Sequence, residues 1–257
     1  MRSASSLRFL VLLLSSSLWT ALTAPVTQRV VQWPHPGNQA LEAAGLFEGD
    51  IVLPPRHDSD DRTVVTHKFL LWPGGIVPFV VESSLGQYTS LLREAMAEIE
   101  AKSCLRFVRR TTERDYVTIF RGSGCYSAIG HQRGPQPVSL GHGCIYKGTM
   151  VHELLHAVGF YHEHSRSDRD NYIQVFTQNA KEGSRKQFDK LEPWENRLIS
   201  PFDRDSVMLY GSHAFASAPG LITMLGKDGS LLTEVYDKPG LSESDANRIN
   251  VLYKCRR

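Results

Sequence analysis

The chain has 257 residues, 41% of them hydrophobic and 22% charged, with a formal net charge of +2. That length accommodates one large domain or two small ones, and the composition is that of an ordinary globular protein. The near-neutral balance lacks the electrostatic footprint of a protein that binds nucleic acid or an anionic membrane surface, and no repeat or low-complexity tract argues for a solenoid or a disordered chain.

The N-terminus reads as a leader. Arg2 and Arg8 flank the start of a Leu-rich apolar run from Phe9 to Leu18, and small residues follow, ending near Ala24. This is a short hydrophobic region with a cleavage site, too short to span a bilayer. It predicts export, with residues 1–24 removed and no membrane anchor. Four cysteines in an exported chain predict two disulfides, in any of three pairings. Residues 25–62 carry few helix or strand signals, because Pro25, Pro34, Pro36, Pro54 and Pro55 interrupt any long element. Within them, Gly49-Asp50 reads as a turn.

Beyond residue 62 the patterns sharpen. Strands are predicted over 76–82, 105–109 and 116–121, where β-branched and aromatic residues cluster, with a short one over 138–140. Leu91, Leu92, Ala95, Met96 and Ile99 recur at helical spacing and predict a helix over 88–102. Thr149 is a candidate N-cap for a helix through the 150s. Residues 171–204 are polar, with weak helical signals over 179–191. A final helix is predicted over 242–253, opened by a capping box of Ser242 and Asp245.

The most informative stretch is His152-Glu153-Leu154-Leu155-His156, followed by Gly159 and His162. Histidines four apart lie on one helix face, one turn apart, and can each give a nitrogen to one tetrahedral zinc. Glu153 stands beside the first ligand, where a general base must be. Gly159 can end the helix at positive φ and swing His162 back as a third ligand. Three protein ligands plus water is the open coordination of a catalytic zinc. The extended pattern also requires a later Met-turn, which Ser206-Val207-Met208-Leu209-Tyr210 supplies.

The run from His152 to Asp170, HELLHAVGFYHEHSRSDRD, resembles the signature of the astacin family of zinc metalloendopeptidases within the metzincin clan, with Glu163 directly after the third histidine as its distinguishing residue. The resemblance covers residues 47–257. One departure is Leu209, where the family often has His; it is expected to point away from the zinc. The resemblance implies an α+β, two-subdomain protease: a twisted mixed sheet with two helices above the cleft (63–160), and an irregular lower subdomain with a C-terminal helix (161–257). It implies one Zn2+ on His152, His156 and His162, Glu153 activating a zinc-bound water, and Tyr210 as a switch tyrosine that can also ligate zinc. Met208 would form an apolar floor. It pairs Cys104 with Cys255 and Cys125 with Cys144.

Phe47-Glu48-Gly49-Asp50 resembles the family's prosegment motif, in which the aspartate ligates zinc and silences a zymogen. Residues 25–62 would then be a propeptide, cut after Arg62 by a trypsin-like protease, with the new amine entering near Glu163. The strand before Cys144 would be the sheet edge that pairs antiparallel with substrate. The ion-rich run 165–170 would fix the loop under the site. Arg133 and Lys147, in or near the loop before the zinc helix, are read either as selecting acidic residues after the cut or as ordinary surface charge. The expected product is a secreted, monomeric endopeptidase acting on proteins or peptides. The rival is a catalytically silent peptide- or receptor-binding protein, against which stand Glu153 and all three histidines.

Overall fold

The computed structural model describes residues 35–42, 45–54 and 70–256. The expected leader and the expected cut after Arg62 lie outside these residues. The first described element is a helix, α1 (Pro36–Glu42), in the stretch read as broken by prolines. Pro36 occupies its first position, where a missing N–H costs nothing. A two-residue strand follows, β1 (Ile51–Val52).

The main sheet has six strands: β1, β2 (Ile76–Val81), β3 (Arg106–Arg109), β4 (Tyr116–Phe120), β5 (Cys125–Ala128) and β6 (Pro135–Leu140), in the spatial order β1-β5-β6-β4-β2-β3. Strands β2, β3, β4 and β6 run parallel, and β5 is antiparallel to β6. Along β4, Val117 and Ile119 are buried while their neighbours are half-buried, the two-residue alternation of a strand with one face on a core. The strand before Cys144 is therefore not the edge. It is interior, and the edge of the main body is β5, a Cys-Tyr-Ser-Ala run without β-branched residues that the sequence does not signal. β1 covers that edge in parallel, with Ile51 opposite Ser127 and Val52 opposite Ala128.

Two helices pack on this sheet. In α2 (Thr89–Lys102) the buried residues are Leu92, Ala95, Met96 and Ile99, one helical stripe. In α3 (Lys147–Ala157) every residue from Gly148 to Ala157 is buried, as in a helix enclosed on all sides. Its start is set by that packing. Thr149 lies inside the first turn, and Tyr146 takes the cap position with no side-chain bond. Its C-terminal carbonyls, which a helix leaves unpaired, are taken up by long-range donors. Trp72 Nε1 donates to the Ala157 carbonyl at 2.8 Å, Gly130 N to that of His156 at 2.8 Å, and the Tyr253 hydroxyl to that of Val158 at 2.9 Å.

After α3 the chain is mostly irregular. The helical signals over 179–191 reduce to single 3-10 turns at Thr177–Asn179 and Arg185–Phe188. A short ribbon joins β7 (Ile173–Val175) to β8 (Met224–Gly226), antiparallel. The last element is α4 (Glu243–Leu252), with the Ser242–Asp245 capping box formed in both directions. Disulfides join Cys104 to Cys255 and Cys125 to Cys144. The first ties the end of α2 to the end of α4, and the second closes the sheet edge onto the loop before α3.

Candidate active site

α3 carries His152, Glu153 and His156 on one face. Gly159, at φ 104°, turns the chain beyond the helix, and His162 comes back against the first two. The Nε2 atom of His152 lies 3.0 Å from that of His156 and 3.1 Å from that of His162. A fourth group, Asp50, enters from the N-terminal segment: Oδ2 is 3.1 Å from His152 Nε2, and Oδ1 is 3.3 Å from the Nε2 atoms of both His156 and His162. All four ligand atoms lie within 4.8 Å of one another, and all four residues are buried.

The outer nitrogens fix what the inner ones do. His152 Nδ1 donates to the Val207 carbonyl at 2.8 Å, and His156 Nδ1 to the Phe160 carbonyl at 2.6 Å. His162 Nδ1 donates to the Glu48 carboxylate at 2.6 Å. Carbonyls and carboxylates only accept, so each proton sits on Nδ1 and each Nε2 presents a lone pair to the centre. Three lone pairs and a carboxylate facing one another repel unless a cation lies between them. Tetrahedral zinc with nitrogens at 2.0–2.1 Å places them about 3.3 Å apart; the observed 3.0 and 3.1 Å lie 0.2–0.3 Å inside that spacing.

The surrounding charges are tuned by burial. Burial lowers His152 to about 4. Burial also acts to lower His162, but the Asp50 and Glu48 carboxylates outweigh it and raise the ring to about 9, so the centre draws a positive charge that a bound zinc ion would supply in place of a proton on Nε2. Glu153 is fully buried, and neither of its oxygens has a partner among the described residues. Burial, reinforced by the Asp50 charge, raises it well above the ordinary carboxylate range. The Tyr210 hydroxyl donates to Asp50 Oδ2 at 2.6 Å, and its ring stacks on His152.

The Met-turn is held from behind. Asp245 of the capping box also accepts from the Ser206 hydroxyl at 2.6 Å and the Val207 amide at 2.9 Å. Lys238 Nζ, buried, donates to the Ser206 and Leu209 carbonyls at 2.5 and 2.7 Å. Met208 is buried, and its carbonyl accepts from the Glu163 amide, next to His162, at 2.9 Å. Glu163 takes both guanidinium nitrogens of Arg248 at 2.6 and 2.7 Å, Arg166 at 3.1 Å and the Asp203 amide at 2.8 Å. The ion pairs expected in the run 165–170 are present as Arg166–Asp168 and Arg169–Asp170. Lys147, a candidate for selecting acidic residues, instead pairs with Glu98 at 2.7 Å.

Glu48, Lys238 and Arg248 do not stand out in the sequence. Each acts on a residue at least 29 positions away, and no local pattern encodes that. The only local cue is that Glu48 lies within the Phe-x-Gly-Asp motif.

A helix-borne pair of histidines, a third beyond a glycine turn and an unpaired buried glutamate beside them define a mononuclear zinc hydrolase. Comparison with known proteins narrows the class. The family model for Astacin, a family of peptidases, matches residues 64–254. The chain is 44% identical over 221 residues to astacin-like metalloprotease toxin 1 of Loxosceles intermedia, covering 84% of this chain and 83% of the toxin. It is 39% identical over 218 residues to zinc metalloproteinase nas-4 of Caenorhabditis elegans, covering 81% and 69%. Among solved structures, high choriolytic enzyme 1, a hatching-enzyme zinc-protease from Oryzias latipes (medaka fish), matches with a TM-score of 0.66 at 37% identity, over 72% of this chain and 94% of that one. The chain belongs to the astacin family. It is a zinc metalloendopeptidase of α+β, metzincin-like fold, with one zinc ion as cofactor and proteins or peptides as substrates. No helix among the described residues is long and apolar enough to cross a membrane.

Proposed function

We propose that the chain is exported with a leader over 1–24 and held latent by a prosegment over 25–62. A trypsin-like protease cuts after Arg62 and releases a monomeric catalytic domain over 63–257, which hydrolyses internal peptide bonds. The observation that carries this reading is Asp50. It reaches the three histidines from a segment that precedes the residues matched by the family model, and it fills the position an attacking water needs. β1 supports the reading in a second way. It covers the free edge of β5 and runs parallel to it, opposite to the antiparallel direction expected of a substrate strand. Two disulfides suit an oxidising, extracellular setting.

Zinc bound here supplies Lewis acidity and lowers the pKa of its water to about 7. The chain does the rest. Glu153, enclosed and unpartnered, takes a proton from the attacking water and passes it to the leaving amine. Its raised proton affinity suits both halves of that transfer. Tyr210, whose hydroxyl now donates to Asp50, donates after Asp50 departs to the carbonyl oxygen as charge develops on it. Asp245 and Lys238 keep the turn that carries Tyr210 in place. The edge of β5 aligns the substrate backbone.

The test is hydrolysis of gelatin or casein by the uncleaved chain and by trypsin-trimmed chain, with and without a zinc chelator, alongside Glu153→Ala. Activity appearing only after trimming, and lost with chelator or in the variant, is expected. Stoichiometric zinc without hydrolysis after removal of residues up to 62 would instead favour the silent binding protein.

A further inference from the structure

Two of the three histidines are oriented by the body of the enzyme, through the backbone carbonyls of Val207 and Phe160. The third, His162, has as its Nδ1 partner among the described residues Glu48, which lies two residues before Asp50. Glu48 is not a surface residue that happens to reach inward. It is 3% exposed, and its second oxygen has no partner among the described residues. Its backbone sits at φ 52°, a conformation uncommon for a residue with a side chain. The turn is pinned on both sides, by Phe47 edge-on to Tyr161 and by Gln187 Nε2 on the Leu46 carbonyl. Burying a carboxylate in a strained turn is costly unless a positive charge compensates it. With zinc in place, Asp50 and Glu48 together balance its two charges.

We propose that Glu48 is a positioning residue for the zinc ligand His162 that activation takes away. The N-terminal segment would supply the outer hydrogen-bond acceptor of one of the three histidines, so the uncleaved chain holds zinc more tightly than the processed chain does. This rests on the reading of residues 25–62 as a removable prosegment. Asp50 and Glu48 then act as a double clamp, one on the metal and one on a ligand behind it. Cutting leaves His152 and His156 fixed and His162 without its carboxylate. Outer partners of metal-bound histidines typically contribute 10- to 100-fold to metal affinity.

The test is zinc affinity of the full uncleaved chain by chelator competition, comparing the native sequence with Glu48→Ala, Glu48→Gln and Phe47→Ala. Near-ultraviolet circular dichroism would report folding. Glu48→Ala is expected to weaken zinc binding about 10- to 100-fold. Glu48→Gln, which keeps an acceptor oxygen, should recover at least half of that loss on a logarithmic scale. Phe47→Ala, which disturbs the turn but keeps the acceptor, should lose less than Glu48→Ala. The proposal is overturned if Glu48→Ala stays within about threefold of the native chain, or if Gln gives no rescue. Trimming to residue 63 makes the native and Glu48→Ala samples the same molecule, so their affinities must converge. A difference that persists means that the segment was not released, which counts against the prosegment reading and not against the role of Glu48.

Discussion

Substituting Glu163 with Gln removes one negative charge from a buried network and leaves its shape intact. Glu163 is 4% exposed and accepts four hydrogen bonds, three of them from the guanidinium groups of Arg248 and Arg166. Those arginines are also buried. Arg166 keeps Asp168 as a second partner, while Arg248 keeps Ser200 Oγ and the Pro201 carbonyl, both neutral, and among the described residues no carboxylate nearer than Asp245, at 3.8 Å. The amide would leave Arg248 largely uncompensated and set an NH2 group against a guanidinium. Breaking a buried pair from one side costs about 3–5 kcal/mol, mostly from the stranded charge. With a urea slope of about 2–3 kcal/mol per M, the unfolding midpoint of the uncleaved, zinc-loaded chain should fall by about 1–2 M at unchanged slope. Adding Arg248→Met removes the stranded charge, and the double variant should recover about half of the loss. A single variant within about 1 kcal/mol of the native chain, or a double variant no better than the single, would refute the reasoning.

Three further outcomes follow from the geometry. Gly49→Ala should raise the basal hydrolysis of the uncleaved chain: φ is 99°, and an added Cβ would lie 2.7 Å from Phe215 and 3.0 Å from the Leu41 carbonyl, so the turn that seats Asp50 cannot keep its place. Unchanged latency would contradict that. Burial lowers Lys238 to about 8 from an unfolded value of 10.5. Between those values the unfolded chain binds more protons, so stability should rise with pH by about 3 kcal/mol relative to Lys238→Met, which lacks this dependence. Parallel pH profiles for the two proteins would show that burial does not depress Lys238, and would count against the reasoning. Replacing Cys125 and Cys144 by alanine opens a closure of 19 residues and should cost about 3 kcal/mol in denaturant unfolding; a loss below about 1 kcal/mol would show that the β5 edge is held by its ladder alone.

The parts of this molecule legible in its sequence are those whose spacing is the chemistry. His152, Glu153 and His156 sit at helical intervals because one turn separates two ligands. Ser242 and Asp245 announce α4 because the capping box is local. β4 and α2 show their periods because each faces one core. The edge strand is illegible because β5 is made of Cys, Tyr, Ser and Ala and owes its extension to β6 and β1, not to propensity. α1 is hidden because prolines that break a helix interior also begin one. Glu48, Lys238 and Arg248 are hidden because a charged residue in a polar stretch looks like surface until the chain brings its partner to it. Lys147 is the opposite case: its charge is visible in the sequence, but its pairing with Glu98 is not.

The central claim is that Asp50 completes the zinc sphere of the uncleaved chain. Anomalous scattering at the zinc edge, from crystals of that chain loaded with one equivalent of metal, tests it most directly. A single peak about 2.0–2.2 Å from the Nε2 atoms of His152, His156 and His162 and from an Asp50 oxygen is predicted. A water in place of Asp50, or a peak away from the three histidines, would contradict it.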